Sequence, residues 1–141
     1  MRNESEVMKL VQVFKEVEFD QSLQRTLTRL VEDTRTILPE IEQKWKKKYD
    51  QLGFHLEFEL DSMEEEKWFD KGAVFDVVIY MYKHNSRKSH PMLVEIWEVN
   101  QWWFKKKGEL TYQSKEEIEE AIHFLLENVF EDFEERIHKK P

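Results

Sequence analysis

The chain has 141 residues, a formal net charge of −8, no cysteine and only 3 glycines. Without cysteine it can form no disulfide framework, thiolate zinc site, iron–sulfur cluster or cysteine nucleophile. The glycines at positions 53, 72 and 108 are too scattered for a glycine-rich phosphate-binding loop or a nucleophile elbow.

The composition favours a soluble globular protein with a substantial core. Hydrophobic residues make up 40% of the chain, and a domain of this length buries about two thirds of the surface that its unfolded chain exposes. No stretch approaches the roughly 18 apolar residues of a membrane span, and the N-terminus lacks the apolar core of a signal peptide. We therefore expect one cytoplasmic domain over residues 1–141.

The N-terminal third of the chain has the periodicity of helices. Apolar residues recur every three or four positions, which predicts a short helix over about 4–17 and a longer one over about 21–52. Asp20 is suited to cap the second helix, and Gly53 is suited to end it. Because Pro39 removes a backbone donor and clashes with the preceding turn, we expect a kink or break beside it.

The pattern then changes to the alternation of apolar and polar residues that is typical of strands. It predicts strands over about 54–61, 73–83 and 92–99, with a polar hairpin loop between the second and the third. The aromatic residues that follow either continue the sheet or form a fourth strand over about 102–106.

The last element is a helix over about 115–138. Ser114 and Glu117 form a capping box, and the helix that follows is apolar on one face and rich in carboxylates on the other. We therefore predict a two-layer α+β fold, with the N-terminal helices and the C-terminal helix packed on a three- or four-stranded antiparallel sheet.

The strand alternation also predicts an acidic outer face on the sheet. If the helices cover one face, the pleat sends the intervening side chains to the other. Aromatic residues supply rigid contact area and carboxylates attract a basic partner, so these residues form a candidate partner-binding site. Alternatively, the aromatics simply cover the sheet, or the first helix covers this face. The candidate site comprises Glu57, Glu59, Asp76, Tyr80, Tyr82, Glu95 and Trp97.

A second hypothesis is a small enzyme or ligand carrier with a pocket between the helices and the sheet. Asp76 and Glu95 each interrupt an apolar strand, and two close carboxylates can differ in proton affinity, as in acid–base catalysis. His55 is a further polar candidate for this pocket, while the plainer interpretation is two solvated acids or ion pairs. The aromatic residues expected to line the pocket are Trp68, Tyr80 and Trp97.

We expect no metal and no cofactor. Glu120 and His123 repeat the Glu-x-x-His spacing of Glu135 and His138, but both pairs lie on one helix, about 22 Å apart at 1.5 Å per residue. A di-iron site needs such pairs to converge from different helices. Chance explains the repeat in so glutamate-rich a helix.

Three aromatic residues are followed by three lysines at 102–107. This combination can stack nucleic-acid bases or lie at a membrane interface. The interpretation we favour is a strand end anchored in the core, followed by a solvated basic turn. We therefore expect neither nucleic acid nor a membrane as a partner.

This small acidic chain, rich in tryptophan, phenylalanine, lysine and glutamate, is similar in composition to many bacterial proteins of unassigned role, including immunity proteins that inhibit a partner toxin. From the acidic and aromatic outer face we expect a non-catalytic protein that recognises a basic partner through that face and the acidic last helix, and an immunity or inhibitor role is one form of such a function. The enzyme or carrier remains an alternative, and so does a homodimer in which the exposed surfaces are buried.

Overall fold

A computed structural model describes residues 11–86 and 89–139, without the side chains of His90 and residues 137–139. Two long helices pack on a five-stranded antiparallel sheet of order β1-β5-β4-β3-β2, which confirms the predicted α+β class. The sheet has five strands, where three or four were predicted. The strands are β1 Gln12–Lys15, β2 Phe54–Asp61, β3 Val74–Lys83, β4 Ser89–Trp102 and β5 Lys105–Leu110; the helices are α1 Gln21–Gln51 and α2 Lys115–Lys139; single 3₁₀ turns cover Glu16–Glu18 and Glu65–Lys67.

The predicted helix over about 4–17 is wrong where the structure describes it, and residues 1–10 lie outside the described residues. Residues 12–15 form the edge strand β1, which pairs with β5 so that Phe14 lies opposite Gly108. The ring of Phe14 packs 6.0 Å from that of Trp97, centroid to centroid. Pairing with a strand far away in the sequence therefore outweighs the helical periodicity, and these residues do not cover the outer face.

Helix α1 runs without a break through Pro39, so of the predicted kink or break the break is wrong. The proline itself is exposed, while Leu38 and Ile41 beside it are buried in the core. The apolar stripe thus continues on both sides of the proline, and its burial holds the helix together. The predicted cap is confirmed, because the Asp20 carboxylate accepts a 2.9 Å hydrogen bond from the Leu23 amide.

The core lies between the helices and the inner face of the sheet. Polar atoms of large buried side chains form hydrogen bonds within this core, and two of these bonds join the two helices. The Tyr49 hydroxyl donates to the Leu126 carbonyl at 2.7 Å, and the indole Nε1 of Trp45 donates to Nδ1 of His123 at 2.8 Å. The largest fully buried side chains include Trp68, Trp97, Tyr49 and Phe75.

Strand β4 contains a bulge that reverses the direction of its side chains. Phe75 lies opposite Trp97, but the next residue of β3, Asp76, lies opposite Glu95, so Ile96 is an extra residue. Ile96 and Trp97 are both buried as a result. The predicted exposure of Trp97 on the outer face is therefore wrong: its indole nitrogen donates to the Trp68 carbonyl at 3.0 Å inside the core.

Strands β4 and β5 form a hairpin that differs from the predicted boundaries. Strand β4 is longer than the 92–99 expected, and β5 begins at Lys105 rather than near residue 102. The predicted fourth strand thus exists at a shifted position. The aromatic triplet lies at the turn between the two strands.

Candidate functional site

The surface that we call the acidic sheet face is the side of β2, β3 and β4 that points away from the helices. The pairing register places its members on one face, and Leu93 at its centre is 52% exposed. It is formed by Glu57, Glu59, Asp61, Asp76, Tyr80, Tyr82, Leu93, Glu95 and Glu98.

Three carboxylates lie in one row across this face. Asp61 of β2 lies directly opposite Asp76 of β3, which lies directly opposite Glu95 of β4. Among the described side chains, no lysine or arginine forms an ion pair with these three or with Glu98. The row is therefore a concentration of negative charge without a compensating cation in this part of the chain.

Asp76 at the middle of the row titrates unusually. Partial burial, together with the neighbouring charges of Glu95, Asp61 and Glu98, raises the pKa of its carboxyl to about 6. Both effects disfavour the charged form, because desolvation and like charges each make a carboxylate less stable. A cation placed over Asp76 would reverse the second effect.

Apolar and aromatic side chains lie beside this row. Val78 on β3 is buried and lies opposite the exposed Leu93 on β4. The rings of Tyr80 and Tyr82 lie 6.5 Å apart, and a hydrogen bond to Glu59 raises the pKa of the Tyr80 hydroxyl. The face thus combines contact area with charge, which is the composition of many protein-binding surfaces.

The structure brings together six of the seven side chains predicted for the partner-binding site, all except Trp97. The same face also carries Asp61, Leu93 and Glu98, which the predicted site did not include. The signal for Glu98 was available: two adjacent apolar residues, Ile96 and Trp97, interrupt the alternation between two glutamates, as a bulge does.

The residues predicted to line an enzymatic pocket are divided between the two faces of the sheet. Asp76, Glu95 and His55 lie on the outer face, whereas Trp68 and Trp97 are buried on the side of the helices. Asp76 and Glu95 do lie side by side, as expected. They face away from the helix–sheet interface in which the pocket was placed.

The Glu-x-x-His pair at 120 and 123 is engaged in packing. His123 accepts a hydrogen bond from Trp45 through Nδ1, and its Nε2 lies 3.5 Å from the carboxylate of Glu119. The side chain of His138 lies outside the described residues. Among the residues that the structure describes, no three histidine or carboxylate side chains are grouped as metal ligands.

The aromatic triplet is not anchored in the core, contrary to expectation. Trp102, Trp103 and Phe104 are 75%, 78% and 79% exposed at the turn of the β4–β5 hairpin. The exposed acids of α2 lie in the helical layer, on the opposite side of the sheet from the acidic sheet face. The two acidic surfaces are therefore separate.

Comparison with protein-family models, curated proteins and solved structures found no match for this chain. No helix in the described residues is long and apolar enough to cross a membrane.

Proposed function

We propose that this protein is a non-catalytic binding module that recognises a basic partner protein through the acidic sheet face. The observation that carries the proposal is the row of Asp61, Asp76 and Glu95, with which no described lysine or arginine forms an ion pair, beside the exposed Leu93. An inhibitor or immunity-type role in the cytoplasm is one form that such a function takes.

The charge of the row supports a basic partner. Because the pKa of Asp76 is raised to about 6, holding all the carboxylates charged destabilises the free protein at neutral pH. A lysine or arginine of the partner, inserted between Asp76 and Glu95, relieves this repulsion and forms charge-assisted hydrogen bonds. Long-range attraction to the same carboxylates speeds the encounter.

The apolar side chains provide the part of the contact from which water is excluded. Leu93 and the rings of Tyr80 and Tyr82 offer a patch with charge at its edge, and such patches mark interaction sites when they are contiguous. The same charge argues against a symmetric dimer through this face, since two copies would bring their carboxylates together.

The test uses two variants with identical changes of charge. Glu95→Lys reverses a charge in the row, and Glu131→Lys reverses an exposed charge on α2. Each protein is immobilised, lysate of the source cells is passed over it at low and moderate salt, and retained proteins are quantified by mass spectrometry. A retained candidate is then purified and its dissociation constant measured.

The proposal predicts a basic protein that wild type and Glu131→Lys retain equally and that Glu95→Lys binds at least tenfold more weakly. Equal affinity of all three proteins for that candidate would move the binding site away from the acidic sheet face. If the retained partner is acidic and its retention does not change with salt, the proposal is contradicted altogether.

A further inference from the structure

The turn of the β4–β5 hairpin exposes an unusual amount of aromatic surface. Trp102, Trp103 and Phe104 are consecutive, and each is at least 75% exposed. Single exposed apolar residues are ordinary, but a contiguous exposed patch of this kind marks a site of interaction. Contacts with the rest of the described chain cover no more than about a quarter of the surface of each of these residues.

The backbone at the turn makes the choice of residue more unusual. Trp103 has a φ of +60°, in the left-handed region where glycine, asparagine and aspartate are the common residues. A tryptophan side chain is sterically disfavoured there, and its ring gains no burial in return. Two independent observations, exposure and backbone strain, therefore indicate that the ring is used for something outside the described fold.

The charge around the turn is positive, whereas the net charge of the whole chain is −8. Lys105, Lys106 and Lys107 follow the rings on β5, and Lys15 of β1 lies opposite Lys107. The nearest carboxylates along the two strands, those of Glu98 on β4 and Glu109 on β5, lie opposite each other, about 13 Å of strand from Trp102 and Lys105. This exceeds the Debye length of about 8 Å at physiological salt, so the tip acts electrostatically as a cationic site.

We propose that this tip docks into the interfacial region of an anionic lipid bilayer. Tryptophan rings favour the headgroup layer because they are apolar in the body and polar at the N–H, and lysines beside them pair with anionic headgroups. All three rings are exposed at the tip of one hairpin, so a single surface that meets the tip can reach them together. Single-stranded nucleic acids are instead bound by rings spaced along a charged groove.

A membrane was not expected as a partner, because the sequence has no spanning segment and the triplet was expected to be anchored in the core. The hairpin tip is a different surface from the acidic sheet face, so membrane docking here does not depend on the proposed function. The bilayer contact is reversible and interfacial, since only three rings enter.

The chain supplies its own fluorescent reporter. Of its 5 tryptophans, Trp45, Trp68 and Trp97 are buried, whereas Trp102 and Trp103 are exposed at the tip. Purified protein is titrated with vesicles of phosphatidylcholine, alone or with about 30% phosphatidylglycerol, and tryptophan emission, acrylamide quenching and co-sedimentation are followed. A shift of emission to shorter wavelength on docking therefore reports on the tip.

Three variants separate the contribution of the aromatic rings to vesicle binding from that of the lysines. A triple variant, Trp102→Ser, Trp103→Gly and Phe104→Ser, removes the rings and relieves the turn, and Lys105→Gln with Lys107→Gln removes charge. Leu93→Ser removes an exposed apolar side chain from the acidic sheet face as the matched control. Circular dichroism and thermal melting of each variant verify that the fold is retained.

The expected result is docking to the anionic vesicles, at least tenfold weaker on phosphatidylcholine alone and weakened by salt. The triple variant and the lysine variant should each lose at least tenfold in vesicle affinity, and Leu93→Ser should match wild type. No vesicle-dependent emission shift or co-sedimentation at either composition would overturn the proposal. So would undiminished vesicle binding by the triple variant, or binding of a labelled single-stranded oligonucleotide in preference to vesicles.

Discussion

The indole ring of Trp97 occupies the space that a side chain on Gly108 would need. A Cβ atom built on Gly108 would lie 2.6 Å from Cζ2 and 2.8 Å from Cζ3 of that ring, well inside van der Waals contact. The bulge at Ile96 turns Trp97 toward the core, and the glycine of β5 leaves room for it. The two strands are thus fitted to each other at this point, and the same bulge places Glu98 on the acidic sheet face.

Gly108→Ala should therefore destabilise the protein. The added methyl group forces the buried indole or the β5 backbone to move, and overpacking of this kind costs about 2–3 kcal/mol of the free energy of unfolding. Urea denaturation followed by circular dichroism measures the change. Lys107→Ala, at the exposed neighbouring position, is the control and should change the free energy by less than about 0.5 kcal/mol. Equal stabilities of the two variants would show that the indole does not constrain β5.

Asp76→Asn should stabilise the protein above pH 6. The native pKa of about 6 exceeds the ordinary value of 3.8, so the folded state binds the proton more tightly than the unfolded state. The Asp76 carboxyl therefore lowers stability progressively as pH rises from about 4 to about 6, and this penalty persists at higher pH. After allowance for solvent screening, the variant should gain about 1 kcal/mol at pH 7.5 and almost nothing at pH 3.5.

Denaturant unfolding of wild type and Asp76→Asn across this pH range measures the effect. Glu127→Gln, an exposed carboxylate on α2, is the charge-matched control. A gain that is equal in both variants would assign the effect to net charge rather than to the row of carboxylates.

Tyr49→Phe should remove a single hydrogen bond with little change in packing. The Tyr49 hydroxyl is buried and donates to the carbonyl of Leu126, and its burial raises the pKa of the phenol well above its ordinary value. Loss of this bond between α1 and α2 should cost about 1 kcal/mol of the free energy of unfolding. Tyr82→Phe, on the partly exposed outer face, should cost less. Comparison of the two unfolding midpoints tests this difference.

Much of the fold was predictable because local signals agree with the tertiary structure. Alternation identified β2 and β3 to within a residue, and the capping box identified α2, where the Ser114 hydroxyl accepts from the Glu117 amide at 3.2 Å. The exceptions have non-local causes. Strand β1 forms because it pairs with β5 at the edge of the sheet. Helix α1 continues through Pro39 because the core buries residues on both sides of the proline.

The residues of the candidate site were predicted correctly where the pairing of the strands is regular and wrongly where it is irregular. On β2 and β3 the pleat is regular, so period-two reasoning placed Glu57, Glu59, Asp76 and both tyrosines on one face correctly. On β4 one extra residue changes the face of everything after it, which moved Trp97 inward and Glu98 outward. Exposure of the aromatic triplet depends on where the hairpin turns, and alternation alone does not determine that position.

The most direct test of the proposed function is the pH dependence of the affinity for the captured partner, measured calorimetrically with wild type and Asp76→Asn at pH 7.5 and pH 5.0. Because the pKa of Asp76 is about 6 and a basic partner requires the carboxylate, wild type should bind several-fold more weakly at pH 5.0. The proton taken up by Asp76 is the cause, so Asp76→Asn should bind weakly at both pH values and show a smaller difference between them. Equal affinities of the two proteins at pH 7.5 would contradict recognition through the acidic sheet face.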